Sequence, residues 1–88
     1  MSGSGSAPAV TLYGRAGCHL CEEALLELRR LQAAGAQFEL LQVDIEADER
    51  LHRAMLERIP VIEVDGERVC ELLFEPDAVL ARIGTVSA

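Results

Sequence analysis

Two cysteines three positions apart, Cys18 and Cys21, stand where a short apolar run hands over to a helical pattern, and no other feature restricts the fold as strongly. Ahead of them lie Val10-Thr11-Leu12-Tyr13, a strand-forming run, and Gly14-Arg15-Ala16-Gly17, a break. From Leu20 onward, Ala24, Leu28 and Leu31 recur at spacings of four and three with Leu25 alongside, which is one apolar face at helical period. The order is strand, loop, helix, with both thiols at the loop-to-helix junction. A helix start presents backbone N–H groups without intrahelical partners and a partial positive charge. A thiolate is stabilised there, and the thiolate is the reactive form of cysteine. The second sulfur falls one turn in, so one sulfur can attack a disulfide and the other can clear the mixed disulfide that results. Cys18-His19-Leu20-Cys21 could also be half of a zinc site or two buried small hydrophobes; the strand-to-helix setting favours redox chemistry.

Size and charge narrow the field. Eighty-eight residues make one domain, and half of them are apolar, enough for a modest core. Aromatics are confined to Tyr13, Phe38 and Phe74, so that core is built from Leu, Val, Ile and Ala. The net charge is −7 and every basic residue is Arg, which disfavours nucleic acid and leaves no polybasic membrane patch. Residues 1–9 have no apolar centre, do not form a secretory signal and are expected to be a flexible leader. Residues 10–84 are expected to form a single domain and 85–88 a tail. Three cysteines do not suit a disulfide-stapled secreted scaffold. The expected compartment is the cytoplasm, where a vicinal thiol pair is more often catalytic than structural, and the expected state is a monomer.

The first strand, Val10 to Tyr13, is almost continuously apolar, which suits a strand covered on both faces. The first helix is expected from about Leu20 to Ala34, with Glu22, Glu23 and Glu27 leading, Arg29 and Arg30 trailing, and Gly35 as its stop. A second strand, Phe38 to Val43, ends at Asp44. A second helix lies within Ala47 to Leu56, where Leu51 and Met55 are four apart. Pro60 should open a third strand, because a proline cannot donate to a sheet ladder. Asp65-Gly66 is a hairpin turn before a fourth strand, Arg68 to about Leu72. Pro76 fits the first turn of a last helix, with Val79, Leu80 and Ile83 inward and Gly84 closing it. The order is β-α-β-α-β-β-α. Helix-separated strands are expected to pair in parallel and the hairpin strands antiparallel, giving an α/β fold with a central four-stranded mixed sheet flanked by helices.

Leu12-Tyr13 leading into Cys18-His19-Leu20-Cys21-Glu22, then Val43-Asp44-Ile45, Arg58-Ile59-Pro60-Val61, and Asp65-Gly66 before the last helix resemble a small glutaredoxin-like protein of the thioredoxin superfamily. The resemblance runs from Val10 to about Ile83 and implies a thioredoxin-like fold and thiol–disulfide oxidoreductase activity. It casts Cys18 as the catalytic nucleophile and Cys21 as the resolving thiol. It casts Pro60 as a cis proline facing the pair, with Ile59 presenting its N–H and C=O to a bound peptide or thiol. A trans proline opening an edge strand is the alternative. Arg15 sits where such proteins often place a cation and could meet a carboxylate, or be a solvated loop charge. His19, if protonated, would favour the Cys18 thiolate, or it is simply an exposed residue of the first turn. The expected substrate-binding set is therefore Arg15, His19, Ile59 and Pro60, with no metal. Partners would be protein or small-molecule disulfides. No cofactor is expected to be bound, with glutathione as a possible reductant or co-substrate.

Two departures from glutaredoxins disfavour glutathione. The Gly-Gly pair that receives a carboxylate in those proteins is replaced by Cys70-Glu71-Leu72-Leu73, where Glu71 would repel an anionic tripeptide, and His-Leu replaces Pro-Tyr inside the cysteine motif. Cys70 is either a small hydrophobe in its strand or a third thiol near the site, and His52 is expected on the surface. Two other functions compete. One is a metal module using Cys18, Cys21, Cys70 and a histidine. The other is a binding module that uses the fold without redox turnover.

Overall fold

The Val10–Tyr13 run becomes the inner strand β1 (Ala9–Gly14) of a sheet in the computed structural model, which describes residues 7–83. The leader before Ala7, the Gly84 stop and the tail lie outside the described residues. β2 (Glu39–Asp44) pairs with β1 in parallel, β3 (Val61–Val64) pairs antiparallel on the other side, and β4 (Glu67–Glu71) returns antiparallel beyond it. The sheet order is β2-β1-β3-β4, the expected mixed four-stranded arrangement.

Parallel pairing of helix-separated strands holds for β1 and β2 and fails for β3. Asp44 at the end of β2 lies opposite Gly14, and Val61 at the start of β3 lies opposite Tyr13. The segment between β2 and β3 therefore stays at one end of the sheet instead of travelling back along it, and β3 must run the other way. That segment holds a single 3₁₀ turn (Ile45–Ala47) and the short helix α2 (Glu49–Met55). Two aspartates start them in succession: Asp44 accepts from the Glu46 N–H at 2.9 Å, and Asp48 from the Arg50 N–H at 2.8 Å.

Helix α1 (His19–Ala33) ends as the glycine predicts. Gly35, at φ +111°, donates to the Gln32 carbonyl and Ala36 donates to the Leu31 carbonyl, the two bonds of a Schellman motif. Its buried stripe is Cys21, Ala24 and Leu28, whereas Leu20 is 47 % exposed. The apolar face is thus rotated from the one drawn through Leu20, because the small thiol of Cys21 takes the inward position that Leu20 was expected to fill. The hairpin residues Asp65 and Gly66 both have positive φ, 52° and 86°, as a type I′ turn requires.

Burial divides into two clusters on either side of the sheet. The larger joins Val10, Leu12, Ile62, Val64 and Cys70 of the strands to Ala24 and Leu28 of α1 and Val79 of the last helix, α3 (Pro76–Ile83). The smaller gathers Cys21, Ile45, Met55, Ile59 and Val61, with Tyr13, Cys18 and Leu51 against it. β1 is not covered equally on both faces: Val10, Leu12 and Gly14 are buried while Thr11 and Tyr13 are half-buried. The seven-residue α2 packs its Met55 and Leu51 at the Tyr13 end only. Among the described residues no helix is long and apolar enough to cross a membrane.

The helix faces are separable by mutation. Leu28→Ala, which empties a fully buried position, should destabilise the fold by about 2–5 kcal/mol in urea unfolding. Leu20→Ala should cost less than about 0.5 kcal/mol.

Candidate functional site

The cysteine pair sits at the carboxyl end of β1. After the buried Gly14 the chain turns through Arg15–Gly17, with Gly17 at φ +81°, and the Cys18 N–H donates to the Arg15 carbonyl at 3.3 Å. Cys18 is then the N-cap of α1. Its backbone is extended (φ −88°, ψ 106°), its carbonyl accepts the Glu22 N–H at 3.0 Å, and its Sγ accepts the Cys21 N–H at 3.1 Å. Ser, Thr, Asp or Asn usually fill that position, so a sulfur here receives the N–H that a hydroxyl or carboxylate oxygen otherwise takes. Cys18 and Cys21 form a disulfide with Cα atoms 5.2 Å apart. The pair is asymmetric: Cys18 is half-buried and Cys21 is 5 % exposed.

The Arg58-Ile59-Pro60-Val61 segment arrives at the same end. The Ile59–Pro60 bond is cis, and Ile59 and Val61 on either side pack in the apolar cluster that holds Cys21 and Cys18. The expected presentation of the Ile59 N–H is not available, because that N–H donates to the Met55 carbonyl at 3.1 Å as α2 unwinds. The Pro60 carbonyl accepts the Leu72 N–H at 3.0 Å, and the same N–H lies 3.0 Å from the Arg58 carbonyl. Leu72 has φ +71°, and the Leu73 N–H donates to the Glu71 carbonyl at 2.8 Å, so a γ-turn is centred on a non-glycine residue beside the proline loop.

Arg15, His19 and Glu71 each have a partner within the chain. Arg15 pairs with Glu46 at 3.2 Å, so the carboxylate it meets is the protein's own. His19 is turned outward, 2.9 Å from Glu23 on the next turn. Glu71 contacts both Arg58, at 3.2 Å, and Arg68, at 3.0 Å. Its charge is matched twice and does not present the bare repulsion expected of it. His52 is half-buried instead of lying fully on the surface.

Cys70 belongs to the other cluster, among Val10, Leu28 and Val79, as a small hydrophobe. Burial pushes its thiol above the ordinary range, only partly offset by a backbone hydrogen bond with Glu75; the thiol itself donates to the Glu75 carbonyl at 3.7 Å. Tyr13 does border the cysteine cluster. Its phenol is also pushed up, first by burial and then by the Glu63 carboxylate to which it donates at 3.0 Å. Among the described residues no three His, Cys, Asp or Glu side chains are grouped to hold a metal ion. The Glu46 and Arg58 contacts had no local signal in the sequence, because their partners lie 31 and 13 residues away.

A cysteine pair thus stands at the end of a strand and the start of a helix, in one apolar cluster with the two residues that flank a cis proline. The chain belongs to the glutaredoxin-like domain family (DUF836), which it matches over residues 9–84. A solution NMR structure of a protein from Nitrosomonas europaea is 32 % identical, covering 96 % of this chain and all of its own, with a TM-score of 0.78. An X-ray structure of a protein from X. campestris is 31 % identical over 90 % of this chain and all of its own, with a TM-score of 0.66. The solution structure of glutaredoxin from Brucella melitensis is 28 % identical, covering 94 % of this chain and 88 % of that one, with a TM-score of 0.55. Thioredoxins such as mitochondrial thioredoxin 3 of Saccharomyces cerevisiae, 15 % identical with a TM-score of 0.63, share the fold. No curated protein matches the chain. The thioredoxin-like α/β architecture and the Cys18–Cys21 pair of a glutaredoxin-like domain are therefore both present.

The raised pKa of Cys70 keeps it protonated at neutral pH. In native protein its alkylation should be slow at pH 7 and should accelerate only above the pH at which an unfolded cysteine reacts. Because its folded pKa is the higher one, Cys70 stabilises the fold below the unfolded thiol's pKa, and that contribution falls as pH rises through the folded value. Mass mapping of iodoacetamide adducts against pH measures the lag.

Proposed function

We propose that this glutaredoxin-like domain is a thiol–disulfide oxidoreductase in which Cys18 is the nucleophile and Cys21 the resolving thiol. The observation that carries this is the Cys18 sulfur in the N-cap position, 3.1 Å from the Cys21 N–H. In the reduced protein that N–H and the positive helix start favour the Cys18 thiolate over the thiol. The thiolate attacks one sulfur of a substrate disulfide, forming a Cys18 mixed disulfide and expelling the other sulfur as a thiolate. Cys21, once its proton has left to water, attacks the Cys18 sulfur. The intramolecular disulfide forms and the second substrate sulfur leaves, taking up a proton. The substrate has gained two electrons and the protein has lost them; an external dithiol or two molecules of glutathione restore the pair.

Protein disulfides are the favoured partners in this proposal. Backbone amides where glutaredoxins receive a carboxylate are already bonded internally here, Leu72 to the Arg58 and Pro60 carbonyls and Leu73 to the Glu71 carbonyl. Arg15 and Arg58 are likewise held by Glu46 and Glu71. Ile59 and Pro60 are proposed to contact substrate through apolar surface and the Ile59 carbonyl, with His19 and Arg15 at the rim. Glutathione serves as reductant more readily than as a tightly held co-substrate. The proposal takes the domain to act as a cytoplasmic monomer.

Two variants test the roles. Cys21→Ser should accumulate a mixed disulfide on Cys18, and Cys18→Ser should abolish reduction of insulin disulfides. After incubation with oxidised glutathione and a protein disulfide together, intact mass should show the protein adduct in excess. Adducts on the Cys18 variant but not the Cys21 variant would reverse the roles, and glutathione as the dominant adduct would restore an ordinary glutaredoxin specificity.

A further inference from the structure

Gly14 is a glycine that its backbone does not demand. Gly17, Gly35 and Gly66 have positive φ and open space where a side chain would go, but Gly14 is a paired strand residue opposite Asp44 and is not among the residues with positive φ. A glycine inside a strand weakens it and often marks a place where another group comes close. Here that group is the resolving cysteine: a Cβ built on Gly14 would lie 3.0 Å from both the Cβ and the Sγ of Cys21. The Cys21 side chain is therefore held between the Cys18 sulfur, to which it is bonded, and the bare backbone of β1.

We infer that Gly14 is a positioning residue for the resolving thiol: its missing side chain is the space in which the Cys21 sulfur stands when the disulfide is closed. This rests on the oxidoreductase reading and adds to it a control on the balance between dithiol and disulfide. A disulfide fixes both sulfurs within narrow limits, whereas a free thiol keeps its choice of rotamer. A cleft of about 310 Å³ between α1 and β2 borders Gly14 and Cys21, with Leu12, Leu25 and Val43 on its apolar walls. A methyl group at residue 14 crowds the Cys21 Cβ in either state, but a reduced Cys21 can turn its sulfur into that space, whereas a Cys21 tethered to Cys18 cannot. Added bulk at residue 14 thus disfavours the closed disulfide more than the open dithiol. The balance is Cys18–S–S–Cys21 plus two glutathione thiols against the dithiol plus glutathione disulfide, with two electrons transferred and two protons taken up by the protein sulfurs.

The experiment equilibrates wild type and Gly14→Ala in glutathione redox buffers and measures the fraction oxidised by acid quench, thiol alkylation and mass. Gly14→Ala should shift the equilibrium about tenfold toward the dithiol, which for a two-electron couple is about 30 mV more oxidising. In the same variant with Cys21→Ser added, alkylation of Cys18 should keep its pH midpoint, because the hydrogen bond to the Cys18 sulfur comes from the residue 21 backbone. Gly66→Ala serves as the control for general destabilisation: it forces a positive φ on alanine in open space, so it should lower the Tm without moving the equilibrium. If Gly14→Ala does not fold, Gly14→Ala with Cys21→Gly, which removes both the Cβ and the sulfur that crowd the new methyl group, should. An unchanged equilibrium, a shift toward the disulfide, an equal shift in Gly66→Ala, or a double variant that still fails to fold overturns the inference. If the wild-type pair does not exchange with glutathione at all, the oxidoreductase reading falls and this inference with it; if it exchanges and Gly14→Ala does not differ, the inference alone falls.

Discussion

The hydrogen bond from the Cys21 N–H to the Cys18 sulfur ties the chemistry of this domain to the start of a helix. One contact does two things. It satisfies a backbone donor that α1 would otherwise leave without a partner, and it places a sulfur at the positive end of a helix. The fold follows from keeping that junction in place: β1 leads the chain to it, the glycine-containing turn reverses direction, and the Cys21-Ala24-Leu28 stripe anchors the helix on the sheet. The reactive group is thus part of the secondary structure instead of a side chain added to it.

Around that junction the protein spends its polar groups on itself. The Ile59 N–H, the Leu72 N–H and the Arg15, Arg58 and Arg68 side chains, all near the proline loop or the cysteine turn in sequence, find partners within the chain. These partners brace the loop against β4 and leave few unpaired polar groups there for a ligand. Leu20 beside the cysteines and Leu72 and Leu73 at the γ-turn are exposed.

Much of this was legible in the residues. Cys18-x-x-Cys21 after a strand run, Asp65-Gly66 and Gly35 each carry a local conformational requirement that the structure meets, and the cis bond at Pro60 is the one the family resemblance implied. What the sequence hid is what depends on distant partners. The direction of β3 follows from the connection after Asp44 remaining at one end of the sheet, which no local pattern encodes. Leu20 and Cys21 compete for the inward side of α1, and hydropathy alone awards it to the leucine. The pairing of Arg15 with Glu46 and of Glu71 with Arg58 and Arg68 needs the tertiary fold, so the sequence showed Arg15 as a cation open to a ligand carboxylate and Glu71 as a bare repulsive charge. Gly14 looked like part of a flexible break until the sulfur of Cys21 was found against it.

The inner position of β1 has a consequence for how the molecule is made. Val10 faces Leu40 on one side and Val64 on the other, so the strand that leads to the cysteines is fully paired only once β3, some fifty residues further along the chain, is in place. Contacts between residues so far apart in the chain form slowly, because loop closure must precede the contacts that stabilise it. During that interval Cys18 and Cys21 exist without the Ile59–Val61 segment that later packs over them. A nascent chain thus displays its thiol pair before it has the walls that govern access to it.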